Sequence, residues 1–156
     1  MPSTSALQAA FSVGLTHLSR VWRRRIDERL AGFGLSEAKA GALVQISRTG
    51  GGARQGAIAD VLGIVGPSAV RLLDQLCAAG LVERRDVPGD RRAKTIYLTQ
   101  VGVALAARLE TVLIELRTDF LASVTAQDLA ACARVFRAVG ETLDCRFPLP
   151  AVDAAP

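Results

Sequence analysis

The side chains best suited to recognition chemistry in this sequence are arginines, and they crowd into one stretch. Between Arg54 and Lys94 stand Arg71, Arg84, Arg85, Arg91 and Arg92, interleaved with the hydrogen-bonding groups of Gln55, Ser68 and Gln75. A guanidinium is a planar fork of donors that meets phosphate or guanine through two bonds at once, and a glutamine amide matches adenine in the same way. Of the 19 lysines and arginines only Lys39 and Lys94 are lysines, so the bias toward bidentate chemistry holds over the whole chain. The formal net charge is +4 and the isoelectric point is near 9.5, a balance that favours a polyanionic partner.

Catalytic and metal chemistry find little support. His17 is the single histidine, and Cys77, Cys132 and Cys145 stand far apart with no C-x-x-C spacing, so no familiar zinc site can be assembled. There is no paired-carboxylate, glycine-rich phosphate loop or metal constellation, so neither an enzyme nor a cofactor is expected. Structural cysteine in a reducing compartment is the ordinary reading of the three thiols. Redox sensing is the sharper one, with Cys145, near the end of the last helix, best placed for an intersubunit disulfide.

The elements that must position the cations are short. At about 100° per residue, the segment GPSAVRLLDQL (Gly66 to Leu76) and its next residue put Ala69, Val70, Leu73, Leu76 and Cys77 on one arc, and Ser68, Arg71, Leu72 and Gln75 on the other. Pro67 supplies the fixed φ of a helix start. Upstream, Ile58, Val61 and Leu62 have helical spacing, and Gly63 can adopt the left-handed conformation that closes a helix. Two short helices joined by a tight glycine-containing turn predict a helix-turn-helix, whose second helix enters the major groove of DNA. Arg71 then suits guanine or phosphate, Gln75 adenine, and Leu72 a thymine methyl. Asp74, nearer the core edge, suits an ion pair with a wing or helix arginine. Arg54 and Gln55 stand at the start of the first of these helices, where side chains and backbone N–H groups meet phosphate.

After Gly80, the run Leu81 to Arg85, the turn residues Val87-Pro88-Gly89-Asp90 and the alternation of Ala93 to Leu98 predict a hairpin, a wing on the helix-turn-helix. Its arginines and Lys94 suit phosphate contact and insertion into a narrow minor groove.

These residues carry a family resemblance. DRRAKTIYLTQVG, Asp90 to Gly102, fits the D-x-R-x5-L-T-x2-G signature of MarR-type winged-helix regulators, and LGIVGPSAVRLLDQLCAAGLVER resembles the SlyA branch, with WRRRIDERLAGFGLS extending the likeness upstream. The resemblance implies that Pro67, Ser68 and Arg71 recognise the major groove, that Arg92 enters the minor groove, and that Asp90 orients Arg92 by an ion pair. It also implies a homodimer whose first and last helices interleave, and a small aromatic carboxylate as effector in a crevice between the helical region and the DNA-binding lobe. His17 and Trp22 are the candidate cation and aromatic wall for that crevice; their ordinary readings are a partly exposed polar residue and a core residue. Peroxide-sensing relatives place a reactive cysteine near the start of the first helix, and this chain has none there.

The rest of the chain fits that frame. Residues 1–5 read as a tail. Leu7, Phe11, Leu15, Leu18, Trp22, Ile26, Leu30 and Phe33 then mark a long amphipathic helix ended by Gly32 and Gly34. The arginines on its polar side, Arg20 to Arg29, read as a solvated or intersubunit ion-pairing face, with phosphate contact the alternative. Ser36 can cap a helix with an inward stripe of Ala38, Ala42, Leu43 and Ile46, before the loop Thr49-Gly50-Gly51-Gly52. Thr99 and Thr125 can cap two further helices, and Pro148, Pro150 and Pro156 mark a tail.

The expected fold is mainly α with a small β-hairpin wing, a winged helix-turn-helix dimerised through its N- and C-terminal helices. One domain spans 1–156, with a DNA-binding lobe at 36–100 and a helical dimerisation region at 6–35 and 101–147. The expected partner is double-stranded DNA bearing a pseudo-palindromic operator; a winged-helix protein-interaction module is the alternative. A mean hydropathy of +0.29 is high for a small domain and suits apolar helix surface buried between subunits. No run of about 18 uncharged apolar residues exists, and the start MPSTSALQAAF has no basic segment before an apolar core. No membrane span or secretion signal is therefore expected, and the cytoplasm is the expected compartment.

Overall fold

The computed structural model describes residues 2–50, 52–87 and 90–144, without the side chains of residues 90–93. Six helices and a three-stranded sheet follow one another as α1 (Thr4–Leu30), a 3-10 turn (Ala31–Phe33), α2 (Glu37–Arg48), β1 (Ala53–Arg54), α3 (Gln55–Leu62), α4 (Gly66–Ala78), β2 (Val82–Val87), β3 (Asp90–Leu98), α5 (Gln100–Phe120) and α6 (Ala126–Thr142). The expected winged helix architecture is present. Cys145 and the three tail prolines lie outside the described residues.

Local capping sets the helix starts. Ser36, Thr99 and Thr125 each accept a hydrogen bond from a backbone N–H in the first turn of α2, α5 and α6, as their types predict. The N-terminal tail is shorter than expected, because the Ser3 hydroxyl accepts from the Ala6 amide at 3.2 Å and α1 begins at Thr4. Gly63, at φ 61°, closes α3, and Gly80, at φ 69°, follows the end of α4.

The core lies where α2 meets α1, α3, α4, α5 and the sheet. Leu30, Leu43, Ile46, Ile58, Leu73, Leu76, Ile96 and Leu109 are its largest fully buried side chains, each stabilising by about 1.5–3 kcal/mol through removal from water. Arg48 and Glu110 tie α2 to α5 at the surface with a 2.8 Å ion pair.

The wing is more than a hairpin. β2 and β3 pair antiparallel from Val82↔Leu98 to Asp86↔Lys94, with a register shift beyond Asp86, and β1 adds a third strand through Ala53↔Ile96 and Arg54↔Thr95. The sequence pattern does not anticipate β1, since two residues are too few to show an alternation. Ala53 is buried while Arg54 projects.

The long helices leave much of their apolar surface uncovered. The apolar stripe of α1 is buried only toward its end, at Ile26 and Leu30; Leu7 and Leu18 are 57% and 61% exposed. α6 touches α1 through Phe11 and Phe136, with ring centroids 6.4 Å apart, yet leaves Leu129, Val135 and Leu143 exposed. Among the described residues no single helix is long and apolar enough to cross a membrane.

Candidate nucleic-acid interface

α3 and α4 meet at a bend of 108°, within the range of about 90–120° that lets one helix brace another lying in a groove. Ala69, Leu73 and Leu76 anchor α4 in the core, and Pro67, Ser68, Arg71 and Gln75 are exposed on its other side. Leu72 departs from the expectation. It is 9% exposed and packs in the core, whereas Val70, expected inward, is 39% exposed. The cause is angular: Leu72 lies roughly 60° from Ala69 around the helix and Val70 roughly 100° from it on the other side. Leu72 therefore has no access to a thymine methyl, and the outward face consists of Ser68, Arg71 and Gln75 with Val70 at its edge.

Arg54 is exposed on β1 and Gln55 is half-buried as the first residue of α3. Neither Arg54 nor Arg71 has an ion pair among the described residues, whereas Arg84, Arg85 and Lys94 of the wing do. Arg84 reaches back to α4 and donates to Asp74 at 2.6 Å, so that of the wing or helix arginines expected to pair with that aspartate it is a wing residue that does. Arg85 donates through Nε and Nη2 to Glu83 at 2.8 and 2.5 Å, and its guanidinium lies 4.1 Å from the centroid of the Tyr97 ring. Lys94 is engaged by Asp86 on the neighbouring strand. Asp90, Arg91 and Arg92 open β3, and the expected pairing of Asp90 with Arg92 rests on side chains outside the described residues.

The end of the signature, Leu98-Thr99-x2-Gly102, is a joint. Thr99 N–H donates to the Leu81 carbonyl at 3.1 Å, and the Thr99 hydroxyl donates to the Gly80 carbonyl at 2.7 Å and accepts from Gly102 N–H at 3.1 Å. A Cβ at Gly102 would stand 2.0 Å from the Leu81 oxygen. These contacts fix the start of α5 to the turn between α4 and β2, so the recognition helix, the wing and a long helix meet at one point.

A cavity of about 250 Å³ lies between the long helices and the helix-turn-helix. Trp22, Leu113 and Arg117 line it from α1 and α5, Glu37 from α2, and Leu62 and Ile64 from α3 and the turn after it. Trp22 packs edge-on against Phe120 at 4.9 Å and still faces the cavity. His17 does not line it: the residue is exposed, and five helical positions separate the two side chains by roughly 140° around α1. The cations present are Arg23 and Arg117, which sequence reasoning misses because Arg23 looks like one of a solvated series and Arg117 stands far away in the chain. Arg23 Nε lies 3.7 Å from Glu37 Oε2. Burial raises the Glu37 carboxyl above its ordinary range, opposed by the Arg23 charge and assisted by Asp27. Among the described residues no cluster of His, Cys, Asp and Glu could hold a metal ion, and Cys77 and Cys132 are free thiols.

The family model for the MarR family matches residues 33–93, which hold the helix-turn-helix, β2 and the first residues of β3. The crystal structure of the transcriptional regulator PA3341 is 36% identical, with a TM-score of 0.78 over 87% of this chain and 99% of that one. The MepR–DNA complex of S. aureus shares the fold at 20% identity and a TM-score of 0.76, over 85% of this chain and 97% of that one. CouR from Rhodococcus jostii RHA1, bound to p-coumaroyl-CoA, does so at 20% identity and 0.75, over 88% and 95%. With the whole length of a 36% identical regulator matched and the signature residues assembled in the wing and its joint, the chain belongs to the MarR family of winged helix-turn-helix, DNA-binding transcription regulators.

Proposed function

We propose that two copies of this chain bind a pseudo-palindromic operator, with α4 of each in successive major grooves and the wing tips in the flanking minor grooves. The observation that carries this reading is the outward face of α4. Ser68, Arg71 and Gln75 stand exposed beyond a 108° turn, and Arg71 has no acidic partner among the described residues. Pro67 starts the helix toward the DNA, Arg54 and Gln55 approach phosphates, and Arg91 and Arg92 serve the minor groove with Asp90 orienting Arg92. Lys94 has a lesser part, because a phosphate would have to displace Asp86 from it.

The lobe at 36–100 does the reading, and residues 6–35 and 101–147 make the dimer. The exposed apolar side chains of α1 and α6 support this division, since Leu7, Leu18 and Leu143 are unlike the surface of a solitary domain. The cavity beside Trp22 takes a small aromatic or otherwise apolar anion, with Arg23 and Arg117 as its cations. Because Leu62 and Ile64 belong to the helix-turn-helix, an occupant touches the lobe and the long helices together. Ligand and DNA are then coupled through one equilibrium.

Selection from random duplexes by the purified protein at near-physiological salt tests the reading. Enrichment of an inverted repeat with half-sites about 10 base pairs apart is the expected result. Recovery of no motif, with only steeply salt-dependent retention, would reduce the protein to a nonspecific polyanion binder or an interaction module.

A further inference from the structure

The cavity already holds a carboxylate of its own. Glu37 is the first residue of α2; its backbone N–H donates to Asp27 Oδ1 at 2.6 Å, which pins the start of the helix against α1. Its side chain is 35% exposed and turns toward Arg23 at the cavity wall. The charged groups acting on it are Arg23 and Asp27 from α1; Arg117 from α5 lines the same cavity, and α3 and its turn contribute only the apolar Val61, Leu62 and Ile64 to this wall. Arg23 is thus paired with the acid of this wall, whereas Arg117 has no ion pair among the described residues.

An organic anion entering this space meets that acid. Three charged partners of one small wall, two positive and one negative, accept a second negative charge at the expense of the first, because two carboxylates close together in a half-dry site cannot both remain ionised without cost. Resting on the reading of this cavity as the effector site, we propose that Glu37 is a resident counter-anion: a carboxylate ligand of about six-membered-ring size binds by taking its place on Arg23, and Glu37 accepts a proton from solvent as it does so. The balance is one ligand anion and one proton taken up, no covalent bond made or broken. Burial, which already lifts the Glu37 carboxyl above its ordinary range, favours the proton uptake. By linkage, ligand affinity falls as pH rises above the Glu37 range, by at most about tenfold per pH unit.

Trp22 is the only tryptophan of the chain and lines the cavity, so its fluorescence reports occupancy without a label. Benzoate and cyclohexanecarboxylate are suitable probes, because their own carboxyl groups stay ionised between about pH 5.5 and about pH 8, so that a pH dependence in this range belongs to the protein. In the wild-type protein both should bind several-fold more tightly at the acid end. Glu37→Gln should bind them at the alkaline end about tenfold more tightly than wild type and lose the pH dependence, and Glu37→Asp should retain it. Circular dichroism and a thermal melt check that each variant is folded. Equal affinity and parallel pH profiles in wild type and Glu37→Gln would overturn the exchange while leaving the cavity as an anion site. No change in Trp22 fluorescence with either probe, in any variant at any pH, would overturn the cavity reading and this inference with it.

Discussion

Replacing Gly102 by alanine separates two explanations for the glycine of the signature. If it serves only as a flexible residue in the first turn of α5, alanine should stabilise the protein by up to about 1 kcal/mol through helix propensity. The structure gives the opposite sign. The added Cβ would lie 2.0 Å from the Leu81 carbonyl oxygen and 3.4 Å from Leu98 Cδ2, against an ordinary carbon–oxygen contact of about 3.3 Å. The obstacle is backbone, so α5 or the turn after α4 must move by about 1 Å, an overpacking strain of about 1–3 kcal/mol. That movement also weakens the bonds from Thr99 N–H and its hydroxyl to the Leu81 oxygen, costing about 1 kcal/mol more. The propensity gain offsets part of this, leaving a loss of about 2 kcal/mol, which lowers the melting temperature by roughly 4–8 °C for a chain of this size. Urea unfolding followed by Trp22 fluorescence, at one fixed protein concentration because association contributes to stability, measures it. A Gly102→Ala midpoint equal to or above wild type would refute the joint at Leu81.

Other variants probe the remaining assignments. Leu72→Ala should cost about 2–5 kcal/mol as a core truncation, seen in the same urea titration; a stable variant with altered preference for thymine would restore the outward reading of this residue. In operator titrations Arg71→Ala should lose about 1–3 kcal/mol and relax discrimination at particular base pairs, whereas Arg92→Ala should weaken binding across many sequences; wild-type affinity in both would refute the docking. Asp74→Asn, which removes the exposed acidic partner of Arg84, should change stability by less than about 1 kcal/mol; a larger loss in the urea midpoint would show the pair to be a structural strut. The Glu37 carboxyl is raised in the folded state, so the native protein holds its proton to higher pH than the unfolded chain does. Its contribution favours folding at low pH and is lost as pH rises through the folded value. Glu37→Gln should flatten that part of a stability–pH profile, and an unchanged profile would argue against burial as the cause.

Local chemistry was legible in the sequence wherever neighbours along the chain supply it. Ser36, Thr99 and Thr125 cap helices because a hydroxyl reaches an amide two or three residues on, and Gly63 closes α3 because it tolerates a left-handed backbone. Helical spacing located α4, and the alternation near Ile96 located the wing. Which side chains leave the surface was less legible. Leu72 and Val70 flank the apolar arc on opposite sides, and it is the burial of Ala69, Leu73 and Leu76 that fixes the centre of that arc, nearer to Leu72 than to Val70. β1 is a strand only because Ala53 and Arg54 lie beside β3, some forty residues further along the chain.

The cavity was the least visible feature, since its charges come from three helices. Arg23, Glu37 and Arg117 have no sequence spacing that joins them, and His17 stands out in their place because it is near Trp22 in the chain while lying on another side of α1. By itself the sequence determined the helices, the wing, the polar side of α4 with Arg71 and the family, because these follow from periodicity, capping and short motifs. Only the tertiary structure decided that Gly102 is a contact and not a hinge, that Lys94, Arg84 and Arg85 are already held by acids, and that Glu37, paired with Arg23, shares one cavity with Arg117 at the joint of lobe and long helices. Each of these is a distance between residues that the chain brings together only by folding.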